Sequence, residues 1–457
     1  MLGQLGKKVH IIGIGGARLS SLAKILLSKG YQITGSDASE SRFTEAIRRL
    51  GITIYTGHEG NQVEKADWVV YTTAVGENNP ELVKARSLNL PVLEGAELLG
   101  LLMGDAETGV AIAGTHGKTT TTGMASLALL EAGVNPTIMI GGDFDPIGGN
   151  ARVGGTQVFL AEACEFREAF LRLKPTIGVI TNIDWDHPDC FPTLDSVAAT
   201  FRKFVALLPS DGILIVCGDD PLAAALADEV DCQTLRYGFA ENNDLIASNL
   251  HAREPLGQTY QLSIGGRDLG TVTLAVPGCH NALNSLGSLA VCHALGLDLA
   301  KPIAALASFL GVHRRFEIKG QVAGITIVDD YAHHPSAVRL TLSTAKEHFR
   351  GRIWCVFQPH LYSRTKYLFG ELTNAFGDAD HVVFTDIYAA READPGDISS
   401  AVLAQETAKH HPAVHYFGGL QETAVQLTPL LKSGDLVITM GAGDITNLGG
   451  QLLVTLA

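Results

Sequence analysis

Cysteine is scarce in this chain of 457 residues and follows no pattern. The seven copies, Cys164, Cys190, Cys217, Cys232, Cys279, Cys292 and Cys355, are odd in number and scattered, and no C-x-x-C pair occurs. That argues against a disulfide framework, zinc ligation or dithiol redox chemistry, and it points to the reducing cytoplasm. Positive charge is also in deficit, with 34 Lys and Arg against 48 Asp and Glu and a formal charge of −14. Such a balance argues against general affinity for nucleic acid or anionic membranes, so anionic ligands must be met by local Arg, His, Mg²⁺ and helix ends. No apolar run approaches the roughly 20 residues of a membrane span. The lead Met1–Lys8 has too brief an apolar stretch for a signal peptide, so neither membrane insertion nor export is expected. A nucleophile elbow, an internal repeat and low-complexity tracts are missing too, which disfavours acyl-enzyme chemistry and solenoid folds. What is present is 46% apolar residues and 50 glycines, the composition of a turn-rich α/β enzyme of about three domains.

The strict Walker spacing is absent as well, yet a phosphate loop is there. Val110–Ala113 is an apolar strand, and Gly114-Thr115-His116-Gly117-Lys118-Thr119-Thr120 follows directly. Glycines turn backbone N–H groups onto phosphate oxygens, the helix start adds a favourable field, Lys118 supplies a point charge, and the Thr119 hydroxyl suits Mg²⁺. The pattern predicts a nucleoside triphosphate site.

An earlier turn, Gly13-Ile14-Gly15-Gly16, lies between a strand and an amphipathic stretch, Leu19–Ser28, and a second strand ends in Ser36-Asp37. Arg18 stands where a dinucleotide fingerprint needs its third glycine, which favours another phosphate-bearing ligand over a nicotinamide. The segment ends near Asp105. The second segment carries buried parallel strands at 158–162, 177–182 and 212–216. Short antiparallel strands are expected over 236–276, then helices over 281–295 and 301–310. The third begins near His313, with strands at 326–329, 353–357, 382–385 and 436–439, and reads as a doubly wound sheet with ligands at the strand ends.

Polar clusters stand at those strand ends. Glu162 is followed by Glu165, and Asn182-Ile183-Asp184-Trp185-Asp186-His187 closes another strand. Both sit on the P-loop edge of a parallel sheet, where oxygen ligands for Mg²⁺ and an imidazole meet a triphosphate, although a His is the less expected Mg²⁺ ligand. The third segment adds Arg315, Asp329-Asp330-Tyr331-Ala332-His333-His334-Pro335, and Gln358-Pro359-His360-Leu361-Tyr362-Ser363-Arg364-Thr365-Lys366. Asp378, Asp380 and the Arg391-Glu392 pair read as solvated surface or domain-edge charges.

Together with Arg314-Arg315-Phe316-Glu317, these motifs resemble the Mur ligases over essentially the whole chain. The resemblance implies an α/β fold of three domains: a Rossmann-like UDP-sugar domain (1–106), a central P-loop ATPase-like domain with a parallel sheet (107–313), and a C-terminal Rossmann-like domain (314–457). It implies an ATP- and Mg²⁺-dependent ligase of peptidoglycan precursor synthesis in the cytoplasm, monomeric or homodimeric. The reaction would join L-alanine to the carboxylate of UDP-N-acetylmuramate through an acyl phosphate. The alternative is the murein peptide branch, which attaches a recycled tripeptide.

Carried over by motif, Gly13, Gly15, Gly16, Ser36 and Asp37 would hold the UDP-sugar. Gly114 to Thr120 would cradle ATP, with Lys118 on its β and γ phosphates and Asn281 at adenine. Thr119 and Glu162 would hold one Mg²⁺ and His187 a second. Arg315 and Asp330 would close the third domain on γ-phosphate and ribose, while His333, His360 and Arg364 orient the alanine. Lys118, Glu162, His187, Arg315 and His333 are the expected catalytic set. Four departures stand out: Cys164 interrupts the usual acidic run and leaves Glu165 without an assigned role, Leu361 follows His360 where some relatives carry Arg, and Leu19 replaces a commoner Met. Phe201 occupies the place of a carbamylated lysine of later Mur ligases, which agrees with the alanine-adding branch.

Overall fold

The computed structural model describes residues 2–254, 256–390 and 392–457, and folds into three α/β units, each built on its own sheet. Met1, Pro255 and Arg391 lie outside the described residues, and with Arg391 goes one half of the expected Arg391-Glu392 surface pair.

The first sheet holds β1 (Lys8–Ile12), β2 (Gln32–Asp37), β3 (Thr53–Thr56), β4 (Trp68–Tyr71) and β5 (Val92–Glu94). Its order is β3-β2-β1-β4-β5, all parallel. The order reverses between β1 and β4, so the Gly13 turn and the residues after Tyr71 flank one crevice at the strand C-termini. The expected helix after the turn runs over Ala17–Ser28 and buries Leu19, Leu22, Ile25 and Leu26 at i, i+3 and i+4 spacing.

The central sheet contains β6 (Thr108–Ala113), β7 (Thr137–Phe144), β8 (Gly149–Arg152), β9 (Val158–Glu162), β10 (Ile177–Ile180), β11 (Ile213–Cys217), β12 (Gln233–Gly238), β13 (Leu245–Ala252), β14 (Gln258–Ile264) and β15 (Arg267–Leu274). Its order, β15-β14-β13-β12-β11-β10-β6-β9-β7-β8, puts β6 at the switch point between β10 and β9. The parallel core is as expected, but both edges are antiparallel: β8 on one side, β14 and β15 on the other. The antiparallel reading of 236–276 needs correction at its start. Tyr237 and Gly238 belong to β12, which pairs in parallel with β11 and β13. Glycine-rich turns dominate that stretch in sequence and hide the parallel continuation. The two helices following run over Cys279–Ala294 and Ala300–Leu306, the second shorter than its apolar pattern.

The third sheet comprises β16 (Glu317–Val322), β17 (Ile325–Asp330), β18 (Ile353–Phe357), β19 (His381–Thr385), β20 (Val414–Gly418) and β21 (Leu436–Met440), in the order β16-β17-β21-β18-β19-β20. The four expected strands form its middle. The edges β16 and β20 were not foreseen because their residues are only half buried and lack an apolar run.

One hydrophobic cluster runs through the first and central units, joining Leu98 and Leu102 to Phe170, Phe201 and Phe204. Asn150 ties the same two units by hydrogen bonds: its Nδ2 donates to Ala17 O at 2.7 Å and its Oδ1 accepts from Lys24 Nζ at 3.3 Å. Among the described residues no helix is long and apolar enough to cross a membrane.

Candidate active site

At the end of β6 the chain must leave the sheet within one residue and aim its amides outward. Gly114 does this at φ +137°, and a Cβ there would collide with Thr181 Oγ1. The loop is then stapled to the residues after β10. His116 N donates to Asn182 Oδ1 (2.9 Å), Thr181 Oγ1 and Asn182 Nδ2 both donate to His116 O (2.6 and 3.0 Å), and Thr115 Oγ1 accepts from Asp184 N (2.9 Å). A loop cross-linked this way is preorganised for an anion at the start of the helix Lys118–Glu131.

Lys118 lies behind the loop. Its Nζ donates to Gly114 O at 2.5 Å and Thr115 O at 3.0 Å and meets Glu165 Oε2 at 2.9 Å. Burial pushes its pKa down, but the negative charges of Glu165 and Glu162 more than offset that and hold the amine above the ordinary lysine range. Glu165 thus acquires a role: it is buried, carries the Lys118 charge and reaches within 3.8 Å of His187 Nε2. Glu162, at the end of β9, accepts from Gly141 N at 2.8 Å.

From the third unit, Arg315 Nη2 donates to Thr119 Oγ1 at 3.3 Å, with its guanidinium 4.8 Å from the Tyr331 ring centre. Asp330 sits at the end of β17 and accepts from Phe316 N (2.9 Å) and Ala332 N (2.7 Å), so it shapes the turn that carries Arg315. Burial raises its pKa even with Arg315 nearby. Arg364 reaches back into the central unit: Nη2 meets Asp186 Oδ1 at 3.1 Å and His187 Nδ1 at 3.2 Å, and Nη1 lies 3.4 Å from His360 Nδ1. Burial works against the Asp186 charge, yet His187 and Arg364 pull its carboxyl well below the usual range. Burial lowers the pKa values of His187 and His333, most strongly for His333. His333 Nδ1 donates to Tyr331 O at 2.9 Å, which leaves its Nε2 as an acceptor.

Lys118, Thr119, Glu162, Glu165, Asp186, His187, Arg315, Asp330, His333, His360 and Arg364 line one cavity of about 500 Å³, together with Asn281 and Asn284. Asn281 Nδ2 donates to Pro277 O and its Oδ1 accepts from Asn284. Non-glycine residues in left-handed backbone gather around the cavity: His187 (φ +57°), Arg314 (+64°), Phe316 (+48°) and Leu361 (+67°). Each costs of order 1–2 kcal/mol, held in place by the surrounding contacts. Two of the charges expected at the surface or a domain edge make hydrogen bonds. Asp380 Oδ2 accepts from Ile353 N at 2.8 Å, and Glu392 accepts from Ser363 N at 2.9 Å, inside the His360–Arg364 motif, while Asp378 is exposed.

A second groove, about 580 Å³, lies at the switch point of the first sheet and is lined by Gly13, Gly15, Gly16, Asp37, His58 and Thr72 among others. Gly13 (φ +79°) directs its N–H to Ser36 O at 2.8 Å, and Gly15 N donates to Asp37 Oδ2 at 2.8 Å. Ser36 is not brought to the groove; its hydroxyl donates to Glu81 Oε2 at 2.7 Å. Glu81 is fully buried, contacts His10 at 2.7 Å and holds His58 Nδ1 at 2.6 Å against the groove. The sequence offered no local sign of His58 or Glu81, although Thr72 and Thr73 could have been found as the residues ending β4 at the switch point.

Three models of one family tile the chain: "Mur ligase family, catalytic domain" over residues 8–107, "Mur ligase middle domain" over 112–292, and "Mur ligase, glutamate ligase domain" over 314–443. The chain belongs to the Mur ligase family. One relative in it is the UDP-N-acetylmuramate–L-alanine ligase of Clostridium novyi, 45% identical over 98% of this chain and 97% of that protein. A solved Mur ligase, the UDP-N-acetylmuramate-alanine ligase MurC of Thermotoga maritima, superposes with a TM-score of 0.82 at 29% identity, covering 98% of each chain. The murein peptide ligase of Psychrobacter arcticus shares the fold, with a TM-score of 0.74 at 24% identity over 99% of both chains.

Proposed function

We propose that this Mur ligase uses ATP to join L-alanine to the carboxylate of UDP-N-acetylmuramate, an early step of peptidoglycan precursor synthesis in the cytoplasm. The observation that carries the proposal is the single cavity in which Lys118 and Glu162 of the central unit face Arg315, His333, His360 and Arg364 of the third. The 45% identity to an alanine-adding relative over nearly the full chain supports the choice of substrates. In this reading residues 1–106 hold the UDP-sugar in the Gly13 groove, 107–313 hold ATP, and 314–457 close over both and bind the amino acid. ATP then lies on Gly114–Thr120 with its base near Asn281, while Asp330 sets the turn that brings Arg315 to the γ-phosphate.

The sugar carboxylate attacks the γ-phosphorus in line, the bond to ADP breaks, and an acyl phosphate forms. Lys118 and Arg315 stabilise charge spreading over the equatorial oxygens. Arg364 takes the alanine carboxylate and His333 Nε2 the amine, which attacks the acyl carbon; the acyl C–O bond breaks and the departing phosphate carries away the amine proton. The Thr119 hydroxyl and the Glu162 carboxylate are oxygen donors of the type Mg²⁺ prefers, whereas the imidazole of His187 fits a second ion less well. Bound there, Mg²⁺ would neutralise phosphate charge.

The test offers L-alanine and the stem tripeptide in competition to the purified chain with ATP and UDP-N-acetylmuramate, reading products by mass. Alanine product is expected. Preference for the tripeptide would assign the chain to the murein peptide branch, and no nucleophile-dependent phosphate release would remove the ligase proposal altogether.

A further inference from the structure

We propose that His116, Asp184 and His334 form a site for one transition-metal ion of the zinc class, linking the P-loop to the third unit. Their ligand atoms all lie within 4.8 Å of one another, with His116 Nε2 at 3.1 Å and His334 Nδ1 at 3.9 Å from Asp184 Oδ2. Tetrahedral zinc with bonds of about 2.0–2.1 Å sets its ligand atoms roughly 3.3 Å apart, so the three side chains must draw in toward a shared ion, with a water or substrate atom as the fourth ligand.

The outer contacts already orient two of the ligands. His334 Nε2 donates to Trp185 O at 2.9 Å, which fixes the tautomer and leaves the Nδ1 lone pair facing Asp184. Trp185 N donates to Asp184 Oδ1 at 2.8 Å, so one residue's backbone anchors both the imidazole and the carboxylate and leaves Oδ2 as the oxygen shared with His116. Ser336 Oγ donates to that Oδ2 at 2.9 Å, and Ser336 N makes a long 3.4 Å contact to His334 Nδ1 that an ion would replace. Burial keeps the His334 ring neutral, the form that ligates. Two imidazoles and one carboxylate select zinc-class ions over Mg²⁺, which sets this site apart from the oxygen pair of Thr119 and Glu162. The ligands come from both sides of the cavity, so a bound ion ties His116 of the P-loop to the segment that follows β17.

Co²⁺ titrated into the full-length, metal-stripped protein in excess Mg²⁺ tests the site through its visible absorption. The proposal predicts one equivalent with the intense bands of four-coordinate cobalt, weakened at least tenfold by either His116→Gln or His334→Gln. Binding should survive His187→Gln, which removes the neighbouring histidine beside Glu165 and Asp186. No such spectrum, displacement by Mg²⁺, or loss with His187→Gln alone overturns it. Should a variant fail to fold, wild-type crystals soaked in Zn²⁺ decide the matter: an anomalous peak among the three side chains supports the site, and its absence there refutes it.

Discussion

The molecule contains the same local device twice, a parallel strand, a glycine turn and a helix start, and the two copies differ in how many cations face the turn. At Gly114–Gly117 the turn is backed by the buried Lys118–Glu165 pair and faced by Arg315 and Arg364 from the third unit. At Gly13–Gly16 the cation that follows is Arg18, which lines the groove, Asp37 occupies the Gly15 amide, and the group beneath is the buried carboxylate Glu81 with His10 and His58. A helix start with one nearby cation suffices to hold a diphosphate in place. Chemistry on a triphosphate needs cationic charge that strengthens its grip as the phosphoryl group moves. On the proposed function, the difference between the turns is the difference between a handle and a reaction centre.

The largest expected effect comes from removing that charge. Lys118→Ala should lower turnover by at least about 10²-fold, the scale for losing one preorganised charge-stabilising group, read as phosphate release. Because it strands buried Glu165, the same assay on Lys118→Met with Glu165→Gln separates lost chemistry from lost stability. Next, Arg364→Lys keeps the charge but loses the fork that spans Asp186, His187 and His360, and should raise the KM for alanine by roughly 10–100-fold, the equivalent of one or more charged hydrogen bonds. Equal loss with saturating alanine would instead place Arg364 in phosphoryl transfer.

On the other side of the comparison, Gly13→Ala forces a Cβ onto φ +79° and against the Thr72 methyl. The UDP-sugar KM should rise roughly tenfold, in line with 1–2 kcal/mol of backbone strain, with kcat unchanged. The smallest effect is acid sensitivity. Burial pushes His280, which lines the main cavity, down to about 4. Between its ordinary pKa near 6.5 and that value the unfolded chain binds the extra proton, so stability falls as pH drops through this window. The unfolding midpoint measured from pH 7 to 4.5 should fall less steeply in His280→Gln, and an unchanged slope would rule out that contribution.

Both glycine turns and the polar strand ends were legible in the sequence because each is a local signal: a glycine where φ must be positive, a polar cluster where an apolar run stops. The Glu81 network was not, since His10 and Glu81 stand 71 positions apart and meet only through sheet topology. Ser36 illustrates the same limit, because its neighbour Asp37 meets the turn while its own side chain faces Glu81. Glu165 looked ambiguous until the fold set Lys118 against it. The left-handed backbone at His187 and Leu361 has no sequence signature, because these residue types favour other conformations and are held by tertiary contacts.

The division between the two turns is tested most directly by calorimetry of UDP-N-acetylmuramate binding to Lys118→Met/Glu165→Gln beside wild type. Equal affinity in a protein that no longer turns over is the predicted result. A parallel loss of sugar binding would contradict the account, because the ATP turn would then be part of the handle as well.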